Sequence, residues 1–180
     1  MARNVEIKAR LADLDALLPR VRALADHGPE LIEQHDTFYV CTHGRLKLRR
    51  FADGRGELIA YERPDANGPK TSDYQITPLA DPRALHDTLA RALGVVARVI
   101  KRRTLFLVGR TRVHLDRVDG LGDFLELEVV LRDGEPEQAG IAEAQALLDR
   151  LAVDASQLVA GAYVDLLRAE VPPETGPTHA

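Results

Sequence analysis

Charged side chains recur at every second position in several segments of this chain. Glu6 and Lys8 flank Ile7, and Glu126 and Glu128 flank Leu127. Because successive side chains of a strand point to opposite faces, each segment predicts a strand with one charged face and one apolar face. The same spacing occurs at Arg45, Lys47 and Arg49, at Lys101 and Arg103, and at Arg112, His114 and Asp116.

These charged faces combine residue types that bind phosphate with types that bind divalent cations. Arginine offers a planar fork to phosphate oxygens, and lysine offers a compact charge. Carboxylates do not hold phosphate directly, but they hold Mg²⁺ or Mn²⁺, which bridges to phosphate oxygens. Glu126 and Glu128 share a face and can converge on one ion. The pattern predicts a polyanion site with metal, in which catalysis comes from positioning phosphates and stabilising charge on the transferring group.

The elements that must position these residues are mostly strands. Helical spacing predicts helices at 13–25, 82–93 and 137–151, with another within 157–168. We expect one domain over residues 1–170 and a disordered, Pro- and Gly-rich tail at 171–180. Period-two segments predict strands at 3–10, 33–40, 45–51, 57–63, 70–77, 95–101, 103–108, 111–118 and 123–131.

Two architectures accommodate such strands. In the first, an open antiparallel sheet exposes its charged face to water and is covered by helices on the other face. In the second, about eight strands close into a barrel whose charged faces point inward. Solvated faces usually mix Thr, Ser and Gln with Lys, whereas these faces repeat Arg, Lys and Glu. This composition favours an α+β fold built on a closed eight-stranded antiparallel β-barrel, with helices packed outside.

Composition narrows the classes of function further. The chain has 180 residues and a net charge of −4, so it is not a general nucleic-acid binder. No stretch approaches the ~20 apolar residues that a membrane span requires. The single cysteine, Cys41, cannot form an internal disulfide, which fits a reducing compartment. We therefore expect a cytoplasmic protein with neither nucleic acid nor membrane as a partner.

Several motifs in order resemble the CYTH family, also called the triphosphate tunnel metalloenzymes. The family opens with Glu-x-Glu-x-Lys in its first strand, where this chain has Asn4, Glu6 and Lys8. The segments 34–39, 46–49, 61–64, 70–72 and 99–103 are similar to the following strands of the family. Residues 116–128, with a Gly-Leu-Gly-Asp-Phe stretch, most resemble the class IV adenylyl cyclase branch.

The resemblance implies an eight-stranded tunnel that holds a triphosphate together with Mg²⁺ or Mn²⁺, in a protein that forms a homodimer. It implies catalytic roles for Lys8 and Arg112. It implies metal ligation by Glu6, Glu126, Glu128 and Asp116. It implies triphosphate binding by Lys8, Lys47, Arg49, Arg63, Lys70, Lys101, Arg103 and Arg112.

Three functions remain open at this point. A class IV adenylyl cyclase would convert ATP to cyclic AMP and pyrophosphate, and a triphosphatase would hydrolyse tripolyphosphate or thiamine triphosphate. A binding module would hold polyphosphate or a nucleotide without turnover. Asn4 bears on this choice, because it replaces the first acid of the family motif and carries no charge. The role of His114 is also open between a lumen-lining and a catalytic one.

Overall fold

A closed antiparallel β-barrel forms the centre of the protein. The computed structural model describes residues 2–64 and 68–170. Around the barrel the strand order is β1-β5-β4-β3-β2-β6-β7-β8, and β8 pairs with β1 to close the wall. The strands are β1 Ala2–Leu11, β2 His27–Tyr39, β3 Arg45–Phe51, β4 Gly56–Glu62, β5 Lys70–Leu79, β6 Val95–Val108, β7 Thr111–Val118 and β8 Gly122–Val130.

Helices α1 and α3 cover the outer face of β1, β7 and β8. Asp13 caps α1 by accepting a hydrogen bond from the Asp15 backbone N–H, and Leu17 and Val21 are buried beneath that helix. These side chains and the buried leucines of α3 join the outward-facing apolar residues of the strands in the main hydrophobic core. The helices are α1 Leu14–Leu24, α2 Pro82–Leu93, α3 Glu137–Leu151 and α4 Tyr163–Glu170.

Helix α4 packs against one end of the barrel. Tyr163 packs against Phe124, with the ring centroids 5.0 Å apart in an edge-to-face arrangement. Phe38, Val99 and Val118 join them in a second apolar cluster at this end. The barrel therefore has an apolar floor at the α4 end, below its charged interior.

The closed barrel with external helices confirms the expected fold class, but three boundaries were wrong. Residues 95–101 and 103–108 form the single strand β6, because Lys101 and Arg103 share a face and no turn residue separates them. The helix predicted within 157–168 is present as α4, which begins at Tyr163 but ends at Glu170, two residues beyond the predicted range. Residues 155–157 instead form a short 3₁₀ turn.

The third wrong boundary is the start of β2, which begins at His27 and not at residue 33. Gly28 lies against β6 with φ +111°, and a Cβ on it would meet the Leu105 carbonyl oxygen at 2.7 Å. Glycine therefore permits the ladder to continue where the sequence predicts only a helix stop. The tail predicted at 171–180 lies outside the described residues. Within the described part of the chain, every helix is too short or too polar to cross a membrane.

Candidate functional site

The barrel encloses a cavity of about 340 Å³, which we call the lumen. Among the described residues that line it, cationic side chains outnumber acidic ones by seven to five. The acidic residues are Glu6, Asp36, Glu57, Glu126 and Glu128. The cationic residues are Lys8, Lys47, Arg49, Arg63, Lys101, Arg103 and Arg112. With His114 neutral, the lumen is net positive inside a chain that is net negative.

One group of lumen side chains could hold a metal ion. His114, Glu126 and Glu128 each offer one ligand atom, and these atoms lie within 4.8 Å of one another. His114 Nδ1 is 3.1 Å from Glu126 Oε1 and 3.8 Å from Glu128 Oε1. Burial, with help from the Arg103 charge, lowers the pKa of His114 and favours its neutral, metal-binding form. Imidazole and carboxylates together suit a divalent cation.

Lys8 links this group to the opening strand. Its Nζ lies 3.2 Å from Glu126 Oε2 and 3.5 Å from Glu6 Oε1. Glu6 also accepts a hydrogen bond from Arg63 Nη1. Burial alone would raise the pKa of Glu126, but Lys8 and Arg103 hold it well below its usual range, so the carboxylate is ionised. The structure thus places Glu6 beside the metal-capable group, paired with two cations.

Asp116, expected as a metal ligand, is occupied by hydrogen bonds from three side chains that line the lumen. It is fully buried and lies outside the described residues that line the cavity. Arg103 donates to both of its oxygens at 2.7 Å, and Lys101 donates to Oδ2 at 3.0 Å. The Tyr163 hydroxyl donates to Oδ2 at 2.9 Å. Asp116 therefore orients two of the lumen cations.

Asp36, on β2, plays the same part for two cations of the neighbouring strand β3. Arg49 donates to both of its oxygens at 2.9 Å, and Lys47 donates to Oδ2 at 2.9 Å. Burial alone would raise the pKa of Asp36, but Arg49 and Lys47 hold it far below its usual range. Burial, with the neighbouring Arg49, lowers the pKa of Lys47 to about 8. The sequence pattern did not indicate Asp36 as a site residue, because no second acid stands two positions away on its face.

Of the remaining residues expected at the site, some line the lumen and others lie outside its described lining. Arg112 lines the lumen and donates from Nε to Glu128 at 2.8 Å. Lys70 is 3% exposed and lies opposite Glu6 in the strand register, outside the described lining residues. Asn4 is 4% exposed, and its Oδ1 has no hydrogen-bond partner among the described residues. A neutral oxygen therefore stands where the family motif has a carboxylate.

Tyr163 is a second lumen residue that sequence analysis did not assign to the site. Its ring lies 4.1 Å from Lys8 Nζ and 4.8 Å from Lys101 Nζ, measured to the ring centroid. These are cation–π distances, so the ring stabilises both ammonium groups at the floor of the lumen. The only signal in the sequence was the resemblance of segment 163–167 to the family, which gives no orientation for the ring.

The sequence is similar to that of a known protein family and to that of a known enzyme. The CYTH domain model matches residues 2–163. Adenylate cyclase CyaB of Aeromonas hydrophila is 28% identical over 172 residues, which cover 89% of this chain and 86% of that protein.

Two solved structures share the fold. The PH1012 protein of Pyrococcus horikoshii superposes with a TM-score of 0.81 at 22% identity, covering 91% of this chain and 99% of that one. HpAC1 of Hippeastrum superposes with a TM-score of 0.68 at 14% identity, covering 96% of this chain and 98% of that one. HpAC1 is described as having a dominant triphosphatase activity.

Proposed function

Since the chain belongs to the CYTH domain family, we propose that it is a divalent-metal-dependent enzyme that acts on a triphosphate, with a class IV adenylyl cyclase-like reaction. One observation carries this proposal. The closed barrel presents seven cationic side chains beside the group of His114, Glu126 and Glu128. Cations that bind phosphate oxygens and ligands that bind a metal therefore face one small cavity.

The lumen cations are the proposed triphosphate ligands. Asp36 and Asp116 fix four of them in place, namely Lys47, Arg49, Lys101 and Arg103. Fixed cations need little rearrangement when charge develops on a transferring phosphoryl group, and this preorganisation is a large part of phosphoryl-transfer catalysis. We assign catalytic roles to Lys8 and Arg112, which reach the lumen next to Glu126 and Glu128. Lys70 is proposed to support this set from beside Glu6.

Glu126 and Glu128, with His114, would hold Mg²⁺ or Mn²⁺. The ion would neutralise phosphate charge and polarise the bond that breaks. Glu6 is the next candidate ligand, because it adjoins Lys8 and could exchange Arg63 for the ion. Asp116 serves in this proposal as an anchor for Lys101 and Arg103.

The cyclase reaction is supported by the 28% identity to adenylate cyclase CyaB. In that reaction the ribose 3′-oxygen forms a bond to the α-phosphorus, and the bond from that phosphorus to the bridging oxygen breaks. The 3′-hydroxyl gives its proton to water, and pyrophosphate leaves with the electron pair of the broken bond. The lumen cations would carry the charge that grows on the departing pyrophosphate.

Hydrolysis of an inorganic or organic triphosphate is the second candidate. It is favoured by the distribution of cations around the wall, from Lys8 on β1 to Arg49 on β3 and Arg103 on β6. Such a set can hold three phosphates with no organic group attached. A module that binds without turnover is the third candidate, and it is favoured by the uncharged Asn4.

Product analysis separates these functions. Purified protein is incubated with Mg²⁺ or Mn²⁺ and, separately, with ATP and tripolyphosphate. We expect cyclic AMP and pyrophosphate from ATP, and Lys8→Met should reduce turnover at least ~100-fold, since one transition-state charge contact is worth roughly 2.7 kcal/mol or more. The outer-wall variant Arg102→Gln, which removes the same charge, is the control. Orthophosphate from tripolyphosphate, with ATP intact, would instead establish a triphosphatase. Binding without turnover would support the binding module.

A further inference from the structure

Gln34 carries an unused hydrogen-bond acceptor inside the lumen. Its side chain lines the cavity, and the residue is 3% exposed. The amide oxygen Oε1 has no hydrogen-bond partner in the described part of the chain. Buried polar atoms in native proteins are nearly always hydrogen-bonded, so this oxygen indicates a bound molecule that donates to it.

The neighbours of Gln34 in the barrel wall do not supply this donor. The strand register places Phe51 of β3 on one side of it and Lys101 of β6 on the other. Phe51 has no polar side-chain atom, and Lys101 Nζ donates instead to Asp116 Oδ2 at 3.0 Å. The amide oxygen therefore stays open towards the lumen.

A phosphate held in the lumen would lie next to this oxygen. Strand β2, which carries Gln34, stands between β3 and β6 in the barrel. These two strands carry the four cations that Asp36 and Asp116 fix in place. Phosphate groups that bind cations on both flanking strands are consequently expected over β2, beside Gln34.

The phosphates themselves do not satisfy an acceptor such as Gln34 Oε1. Ionised phosphate oxygens accept hydrogen bonds and do not donate them. A phosphoryl transfer does bring one donor, which is the O–H group that attacks phosphorus, and a glutamine amide orients that group in some enzymes of this kind. An acceptor among phosphate-binding cations therefore indicates the place of the attacking group.

A metal ion is better placed for another unused acceptor of the lumen, Asn4 Oδ1. Asn4 lies two positions from Glu6, and β1 pairs directly with β8, where Glu6 lies opposite Glu128. A water bound to the ion could therefore reach Asn4. Gln34 is separated from the metal-capable group on β7 and β8 by strand β6. The two acceptors consequently have different partners.

We propose that Gln34 orients the nucleophile of the reaction, through a hydrogen bond that its Oε1 accepts from the attacking O–H group. That group is a water or a ribose hydroxyl of the substrate, and both present the same donor. Its oxygen forms a bond to phosphorus while the bond from phosphorus to the bridging oxygen breaks, and the leaving phosphate takes that electron pair. The amide does not take the proton, which passes to water. This role rests on the proposed function, because it requires turnover in the lumen.

Two substitutions at Gln34 and one matched control test this role. Gln34→Met keeps the length of the side chain and removes the acceptor, whereas Gln34→Glu keeps an acceptor oxygen and adds a negative charge. Gln75→Met makes the first change at an exposed position of β5. The turnover number is measured with Mg²⁺ or Mn²⁺ on ATP and on tripolyphosphate, and dissociation constants are measured by calorimetry in EDTA. A thermal melt checks that each variant is folded.

We expect Gln34→Met to lower the turnover number at least ~10-fold and to leave the dissociation constant within about twofold, because a misplaced nucleophile slows the reaction without weakening phosphate binding. Gln34→Glu should retain more turnover than Gln34→Met but bind substrate more weakly, because its charge repels phosphate. Gln75→Met should change neither quantity. A loss of cyclic AMP formation from ATP would identify a ribose hydroxyl as the donor, and a loss of orthophosphate release from tripolyphosphate would identify water.

Weaker substrate binding by Gln34→Met, with or without a loss of turnover, would show that the amide binds phosphate and would overturn the orienting role. An unchanged turnover number and dissociation constant would overturn it as well. In both cases the proposed function would stand. Turnover of neither substrate by the wild-type chain would overturn the proposed function itself, and the role of Gln34 with it.

Discussion

At the scale of single residues, the lumen is organised by buried carboxylates that hold cations in place. Asp36 and Asp116 each pair with one lysine and one arginine, and each is held ionised by those partners. Burying these charges costs free energy. The cost is offset only because both oxygens of each carboxylate accept hydrogen bonds from the paired cations. Two fixed lysine–arginine pairs, one on β3 and one on β6, consequently line the cavity before any ligand arrives.

Lys47 should make ligand binding depend on pH. Its pKa is about 8, so the phosphate-binding charge is present below pH 8 and is lost as pH rises through that value. The affinity for tripolyphosphate should therefore fall up to ~10-fold between pH 7 and pH 9, as expected for one unit above a pKa. Lys47→Arg keeps its charge throughout this range and is the control, because titration of the ligand itself is common to both proteins. Parallel pH profiles for the two proteins would contradict the assignment.

The effect of Lys47 on folding has the opposite sign. Its pKa is lower in the folded chain than the ordinary lysine value of 10.5. Between pH 8 and that value the unfolded chain binds more protons, so this residue makes the free energy of unfolding rise with pH. Titration of Lys47 therefore does not destabilise the fold at pH 9. A loss of ligand binding at that pH cannot be attributed to unfolding caused by this residue.

At the scale of elements, the position of α3 on the barrel depends on a glycine. Gly140 packs so closely on β1 that a Cβ would lie 2.8 Å from Val5 Cγ2 and from Leu131 Cδ2. Both contacts are with buried side chains of the main core, which have little room to move. Close approach at this one position fixes the distance between the helix and the strands.

Gly140→Ala should lower stability although alanine is the better helix former. Helix propensity favours alanine by ~1 kcal/mol, whereas overpacking a core costs ~1–3 kcal/mol, so we expect a net loss of ~1 kcal/mol and a drop in Tm of a few degrees. Ala146→Gly, at an exposed site of the same helix, measures propensity alone. A higher Tm for Gly140→Ala in thermal denaturation would show that the helix is not tightly packed there.

The sequence predicted which segments are strands and which are helices, but it did not predict which of these elements contact one another. Alternation of charged and apolar residues placed Glu6, Lys47 and Glu126 on the inward faces, and the structure confirms those faces. Alternation carries no information on depth, so Asp116, on the same face as His114, is enclosed by its hydrogen-bond partners while His114 lines the cavity. Tyr163 reaches the lumen from a helix, and helical spacing does not show which strand ends the helix covers. Asp36 gained its role only when β2 paired with β3.

At the scale of the whole molecule, charge is segregated. The chain carries a net charge of −4, and the lumen lining carries two more cations than acids among the described residues. A positive cavity with low-dielectric walls concentrates anions at its mouth and raises their association rate. The negative remainder of the chain disfavours large polyanions such as nucleic acid at its surface.

The association rate for tripolyphosphate should therefore depend on salt and on the location of charge. Screening shortens the Debye length from about 10 Å at 0.1 M salt to about 3 Å at 1 M, so the stopped-flow rate should fall across this range. Arg49→Gln should slow association several-fold, whereas Arg102→Gln, on the exposed outer wall, should leave it nearly unchanged. Both variants remove one positive charge, so equal effects would mean that net charge alone governs the rate.

The hydrogen bonds between β8 and β1 leave no seam in the wall. Molecules consequently travel along the barrel axis, and Phe124 and Tyr163 narrow the passage at the α4 end. When a reaction splits one substrate into two fragments inside such a barrel, the two products leave one after the other. The fragment nearer an open end leaves first, and the fragment deeper in the barrel leaves after it. We therefore expect the deeper fragment to be the stronger product inhibitor.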